Sequence, residues 1–212
     1  MSALRHGDTA HPVVYLTFDD GYGFSDEVLA ILKQRHARAT ACLVGAFMER
    51  RRSFVQNWLA AGYSLCNHSY THPRLTRSPV AGPPVAPGTD PVYEAVRREI
   101  SGTEALLAQI APGAVSAPFF RPPYGEQNDT VRAAAASLGY RTILWSNDAQ
   151  DWRPGLDAAS VRDTVVNNAK NGDIIILHFE RRSTVDALPF IIDGLRARGF
   201  EILGLESLPS DQ

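Results

Sequence analysis

Short apolar, β-rich runs alternate along this chain with longer stretches whose apolar positions recur at helical spacing, the pattern of parallel strands joined by crossover helices. The predicted strands are Val13 to Phe18, Ala39 to Val44, Tyr63 to Asn67, Pro118 to Arg121, Tyr140 to Ser146, Asp173 to His178 and Phe200 to Leu203. Helical periodicity covers Ser25 to His36, Glu49 to Ala61, Val92 to Ile110, Asp129 to Leu138, Ala158 to Lys170 and Val185 to Arg198. Ser25 is the predicted cap of the first helix, with Asp26 and Glu27 in the turn where the helix dipole favours negative charge. Gly62, Gly139, Gly172 and Gly199 each close a helical stretch just before a strand, where a left-handed residue is wanted. About seven strands in this order define an α/β fold, as a barrel or an open doubly wound sheet. In either, chemistry collects at the C-terminal ends of the strands, and that is where the polar residues of this chain gather.

The 212 residues, 44% hydrophobic and 21% charged, are expected to form one domain over 1–212. Ser78 to Pro91 is too rich in proline for helix interior or central strand, and the strand–helix alternation resumes beyond it, so it is expected as a loop insertion. A formal charge of -2 gives no field that would gather nucleic acid or an anionic membrane, and Arg50-Arg51-Arg52 is expected as a solvated helix face. No apolar run is long enough to cross a bilayer. Met1 to His11 lack the charged start and apolar stretch of a secretory leader, which places the chain as it stands in the cytoplasm, with export left open. Cys42 and Cys66 are too few for a disulfide scaffold and lie in apolar strands, so they are expected as reduced core thiols. Cys66 shares a strand face with His68, which keeps it as a minor candidate for a thiolate ligand.

The first strand runs into Thr17-Phe18-Asp19-Asp20-Gly21, two adjacent acids that point to opposite sides unless the strand bends. One can bind a metal while the other stays free as a base. The third strand ends in His68-Ser69-Tyr70-Thr71-His72, a spacing that brings two imidazoles to one ion on a helical turn or tight loop. With Asp20 they make a divalent site with open positions, suited to activating water. Arg121-Pro122-Pro123-Tyr124-Gly125 ends the fourth strand in a stiff turn able to aim a backbone N–H at an oxyanion, and Arg121 can hold Asp19 in one orientation. His178 ends the sixth strand, and Asp151 would raise its pKa and favour the form that donates a proton to a leaving amine. Trp152 and Leu177 are candidate walls for an acetyl methyl group or a sugar face.

These segments resemble the polysaccharide deacetylases of the NodB-homology type, carbohydrate esterase family 4, in five motifs in order: TFDDG (17–21), HSYTH (68–72), RPPYG (121–125), DAQDW (148–152) and ILH (176–178). The resemblance implies a distorted, incomplete (β/α) barrel in which Asp20, His68 and His72 bind zinc, or cobalt or another divalent ion. It further implies Asp19 as general base, Arg121 orienting it, His178 as general acid tuned by Asp151, and the Tyr124 N–H at the oxyanion. The substrate implied is an acetylated glycan of the chitooligosaccharide, chitin or peptidoglycan type, losing N-acetyl groups; removal of O-acetyl groups from acetylated xylan is the alternative. Two departures stand out: Phe179 follows His178 where the family often has an acid, and Gly21-Tyr22-Gly23 replaces the commoner glycine-proline continuation. An iron oxygenase would use the same metal triad but leave Asp19, Arg121 and His178 without work.

Overall fold

The computed structural model describes residues 2–76, 90–114 and 116–208. Its strands are β1 (Val13–Asp20), β2 (Thr40–Leu43), β3 (Ser64–Asn67), β4 (Phe119–Phe120), β5 (Arg141–Thr142), β6 (Asn147–Asp148), β7 (Asp173–His178) and β8 (Glu201–Leu203). They form one 8-stranded sheet in the order β5-β4-β3-β2-β1-β7-β6, with β8 paired to β1. Every pairing between these strands is parallel. Six of the seven predicted strands are present where expected, and the fifth, predicted over Tyr140 to Ser146, forms a ladder only at β5. β5 pairs with β4, and β6, just beyond the predicted run, pairs with β7, so the short stretch 141–148 spans from one edge of the sheet to the other. That crossing is what makes the molecule a curled, incomplete (β/α) barrel rather than an open sheet. Leu4 bridges to Ile143 between β5 and β6 and accepts a hydrogen bond from the Leu144 N–H.

Among the described residues, seven α-helices cover the sheet: α1 (Ser25–Gln34), α2 (Gly45–Arg50), α3 (Arg52–Ala60), α4 (Pro91–Ile110), α5 (Asp129–Ala136), α6 (Ala158–Asn168) and α7 (Arg182–Ala197). The stretch predicted as a single helix from Glu49 is two, broken at Arg51, whose φ of -126° and ψ of 43° leave the helical region. Phe24, not Ser25, is the residue before α1, and the Ser25 hydroxyl is buried without a hydrogen-bond partner among the described residues. Gly62, Gly139, Gly172 and Gly199 all take positive φ, as their positions after helices require. Of the predicted insertion, residues 78–89 lie outside the described residues. Asp90 caps α4 by accepting from the Val92 and Tyr93 N–H groups, and Pro91 is its first residue.

Alternation along the strands separates two environments. Val14, Leu16 and Phe18 of β1 and Ile175 and Leu177 of β7 face the helices and join the main core. On the other face, Val13 and Tyr15 of β1 and Ile174 of β7 join Cys42, Cys66, Phe119, Ile143 and Leu205 in an apolar plug inside the curl. Further along that inner face come Thr17 and Asp19, then Ile176 and His178. The inside of the curl is therefore apolar at one end and polar where the strands finish.

The cysteines are not free thiols. Cys42 on β2 is directly opposite Cys66 on β3, and the two are joined by a disulfide across a Cα–Cα distance of 4.3 Å. Parallel register on a common face brings the sulfurs together, a long-range relation that the separation of 24 residues does not disclose. With its sulfur bonded and in the plug, Cys66 is not a metal ligand.

Candidate active site

β1 delivers both acids to one cleft because the chain bends at its end. Asp20 has φ 72°, a left-handed conformation, so it turns from the alternation that would aim it away from Asp19. Of the six non-glycine residues with positive φ among the described residues, five lie in the motif segments: Asp20, Ser69, His72, Tyr124 and Gln150. Such backbone costs about 1–3 kcal/mol per residue and persists where the surroundings over-determine it.

His68 and His72 leave β3 on a loop rather than a helix, and converge on Asp20. The Asp20 Oδ1 lies 3.4 Å from His68 Nε2 and 3.2 Å from His72 Nε2. One donor atom from each of the three lies within 4.8 Å of the others. His68 Nδ1 is 2.7 Å from the carbonyl oxygen of Arg121, which fixes the ring so that Nε2 faces the cluster. Two imidazoles and one carboxylate, oriented this way, suit zinc or a similar divalent cation. Burial alone would raise the Asp20 pKa; the hydrogen bond and charge of His68, with the charge of His72, outweigh it and hold the carboxyl well below the usual range. Burial opposes a proton on His68, but Asp19 and Asp20 raise its pKa, whereas burial and the charge of His68 lower that of His72.

Asp19 is not among the converging donors. It is buried, and its Oδ1 accepts from Arg121 Nη1 at 2.7 Å while Oδ2 lies 3.8 Å from His68 Nε2. Arg121 is 0% exposed and also donates to the Thr17 hydroxyl at 2.7 Å and the Leu144 carbonyl at 3.3 Å. This guanidinium, on a rigid Arg-Pro-Pro segment, leaves Asp19 one orientation.

On the neighbouring strand β7, His178, in register with Asp19, is held by Asp151. The Asp151 carboxylate accepts from His178 Nδ1 at 2.7 Å, from the His178 backbone N–H at 2.7 Å and from the Thr184 hydroxyl at 2.6 Å. Burial would lower the His178 pKa, but the hydrogen bond and charge of Asp151 push it up to about 9.

The cleft, about 1030 Å³, includes Asp19, Asp20, His68, His72 and His178 in its lining, together with Tyr124 and Trp152. Of the large hydrophobic residues that are exposed, Tyr22, Tyr124 and Trp152 all line it. Tyr124 has φ 59°, and its ring lies 4.7 Å from that of His72 and 4.1 Å from the Arg74 guanidinium. Arg74 also pairs with Glu126 at the end of the same turn. A side chain on Gly125 would meet the Trp145 ring at 2.8 Å, so this turn sits flush on the wall of the cleft.

Leu177 is not on that wall. It is fully buried in the main core, and Ile176, one residue earlier on the same face of β7 as His178, lines the cleft instead. Two-residue alternation counted back from His178 identifies Ile176 directly. Residues that the motifs do not reveal are Thr184 on Asp151, Glu99 on the His68–His72 loop, and Glu180, while Thr17, inside the first motif, has no role assigned to it by sequence although its hydroxyl meets Arg121. Burial and the charge of Asp20 push the Glu180 pKa up to about 7. It is an acid two residues after His178, displaced by one from where the family often carries one.

A curled parallel sheet with a two-histidine, one-carboxylate cluster at its strand ends, flanked by a separately held acid and histidine, defines a hydrolase class built for water-driven acyl transfer. The chain belongs to the polysaccharide deacetylase family, whose model matches residues 6–143. It is 34% identical over 221 residues to a chitooligosaccharide deacetylase of Sinorhizobium fredii, covering 97% of this chain and 95% of that protein. A peptidoglycan-N-acetylglucosamine deacetylase of Bacillus cereus is 32% identical over 204 residues, covering 92% and 87%. Among solved structures, the peptidoglycan N-acetylglucosamine deacetylase Bc1960, in complex with 4-naphthalen-1-yl-N-oxidanyl-benzamide, superposes with a TM-score of 0.84 at 30% identity, covering 97% of this chain and 92% of that one. Among the described residues, no helix is long and apolar enough to cross a membrane.

Proposed function

We propose that this protein is a metal-dependent deacetylase that hydrolyses N-acetyl groups on N-acetylglucosamine-containing oligo- or polysaccharides. The observation that carries the reading is the pairing of Asp19 with Arg121 and of His178 with Asp151 in the same cleft as the converging Asp20, His68 and His72. Those three side chains would hold the ion, zinc by preference, and an ion there supplies a Lewis acid and a water of lowered pKa.

The remaining work falls to the chain's own groups. Asp19, fixed by Arg121, takes a proton from the attacking water as its oxygen bonds to the acetyl carbon. The Tyr124 N–H, at the apex of its left-handed turn, donates to the carbonyl oxygen as that atom gains charge. His178, protonated through Asp151, gives a proton to the amide nitrogen as the C–N bond breaks, and acetate and a free amine result. Trp152 and Ile176 flank the acetyl methyl, and Tyr22 and Tyr124 offer apolar faces for sugar rings. A protonated His178 matters more for an amine than for an alkoxide leaving group, which favours amides over acetylated xylan.

Acetate release tests this directly. Protein stripped with chelator and reloaded with single metals should deacetylate chitooligosaccharides or peptidoglycan fragments, with zinc restoring activity. Release from acetylated xylan alone would overturn the N-acetyl reading, and activity unaffected by chelation would overturn the metal.

A further inference from the structure

Between the two histidines, Tyr70 and Thr71 form a short span whose ends, Ser69 and His72, both adopt left-handed backbone, with φ 66° and 60°. Neither is glycine, so this shape has to be imposed by partners. The Ser69 N–H donates to Asn67 Oδ1 and the His72 N–H to the Ser69 hydroxyl, each at 3.0 Å. The span itself is gripped from outside. Glu99 on α4 accepts from the Tyr70 and Thr71 N–H groups through a single oxygen, at 2.7 Å each, and from the Thr71 hydroxyl through the other at 2.8 Å. Consecutive N–H groups aimed at one carboxylate oxygen form an anion-binding nest, and bonds to an ionised acceptor are the strong kind.

The same stretch of α4 is pressed against this loop. Asn67 Nδ2 donates to the Ile100 carbonyl at 3.1 Å, and a side chain on Gly102 would lie 3.3 Å from the Tyr70 ring. Glu99 lies outside all five motifs, touches none of the three donor side chains, and reaches them only through the backbone between His68 and His72.

We propose that Glu99 is a positioning residue for the metal centre: its carboxylate fixes the Tyr70-Thr71 span so that the His68 and His72 imidazoles are held at ion-binding separation. The inference rests on the reading of Asp20, His68 and His72 as ligands. Removing Glu99 frees two backbone donors and lets the left-handed ends relax, so the ion must then reorganise the loop as it binds. Groups that orient ligands in this way typically change metal affinity by about 10–100-fold. The chemistry of the contact also predicts a rescue. A glutamine can place its oxygen at the two N–H groups and donate through its NH2 to the Thr71 hydroxyl, which accepts as readily as it donates.

The test is zinc affinity of the chelator-stripped protein, by competition with a chromophoric chelator, for wild type, Glu99→Ala and Glu99→Gln, with thermal unfolding of each metal-free form. Expected are a loss of roughly 10–100-fold in zinc affinity for Glu99→Ala and affinity near wild type for Glu99→Gln. A Glu99→Ala protein with wild-type zinc affinity overturns the proposal, whether or not its melting temperature falls, because a lowered melting temperature alone marks a merely structural contact. An equal loss in Glu99→Gln overturns it too, since the nest would then not be the cause. Should wild type fail to bind zinc while a His72→Ala control behaves identically, the ligand assignment itself is what fails.

Discussion

Asp151→Asn is the substitution whose consequences can be worked furthest. In the wild type, Asp151 accepts three hydrogen bonds and holds His178 protonated up to about pH 9. Relative to an ordinary value of 6.5, that is a preference for the imidazolium of roughly 3 kcal/mol. Asparagine keeps one acceptor oxygen, which the His178 N–H and Thr184 hydroxyl will claim, leaving its NH2 against His178 Nδ1. That contact favours neutral imidazole, and burial lowers the pKa further. If the value falls to 6.5 or below, the protonated fraction at pH 8 drops by roughly thirtyfold, and turnover of an N-acetyl substrate falls by at least that factor. The descending limb of the kcat/KM profile should move from about 9 to below neutrality, because the acid is needed protonated. An activated acetyl ester, whose leaving group needs no proton, should lose far less. Stability carries the same sign. A raised folded pKa stabilises the native state below pH 6.5 and ceases to do so as pH rises through about 9, so the variant's deficit in unfolding free energy should be about 3 kcal/mol near pH 6 and shrink above pH 9. An unmoved alkaline limb, or equal losses on amide and activated ester, would refute the assignment of His178 as acid.

Asp19→Asn should lower turnover by about 10²–10⁴-fold while zinc content after dialysis stays at the wild-type level; loss of zinc would make Asp19 a ligand instead of a base. Arg121→Met leaves Asp19 buried without its cation and should cost about 3–5 kcal/mol in denaturant unfolding. His72→Ala should lower zinc affinity measured by chelator competition, with little change in the melting temperature of the metal-free protein, since His72 is only partly buried. Replacing both Cys42 and Cys66 by alanine removes a link that closes a loop of 24 residues and should cost roughly 3 kcal/mol; free thiols titrated in the unreduced, unfolded wild type would refute the bond.

The alternation of apolar runs and helical stretches determined the α/β class and six of the seven predicted strands, because period and punctuation are local properties. The same was true of the cluster itself: strand-end position and residue type singled out Asp19, Asp20, His68, His72, Arg121, Asp151 and His178, all of which the structure gathers around one cleft or its supports. Where the structure departs from expectation, the deciding contact is non-local or the strand period assigns the other face. Leu177, expected on the cleft wall, faces the core, and strand alternation from His178 assigns the wall to Ile176. The predicted strand Tyr140 to Ser146 forms a ladder only at β5, and the next ladder, β6, lies just beyond it, because the chain passes from a place beside β4 to one beside β7, at opposite edges of the sheet. Cys42 and Cys66 are bonded because β2 and β3 align them in register, and Glu99 meets the metal loop because α4 packs across it. Residue type and strand-end position, both local, suffice to single out the side chains proposed for the chemistry. The groups that hold them in place emerge with the fold, since burial, register and backbone hydrogen bonding are relations between segments that no single segment encodes.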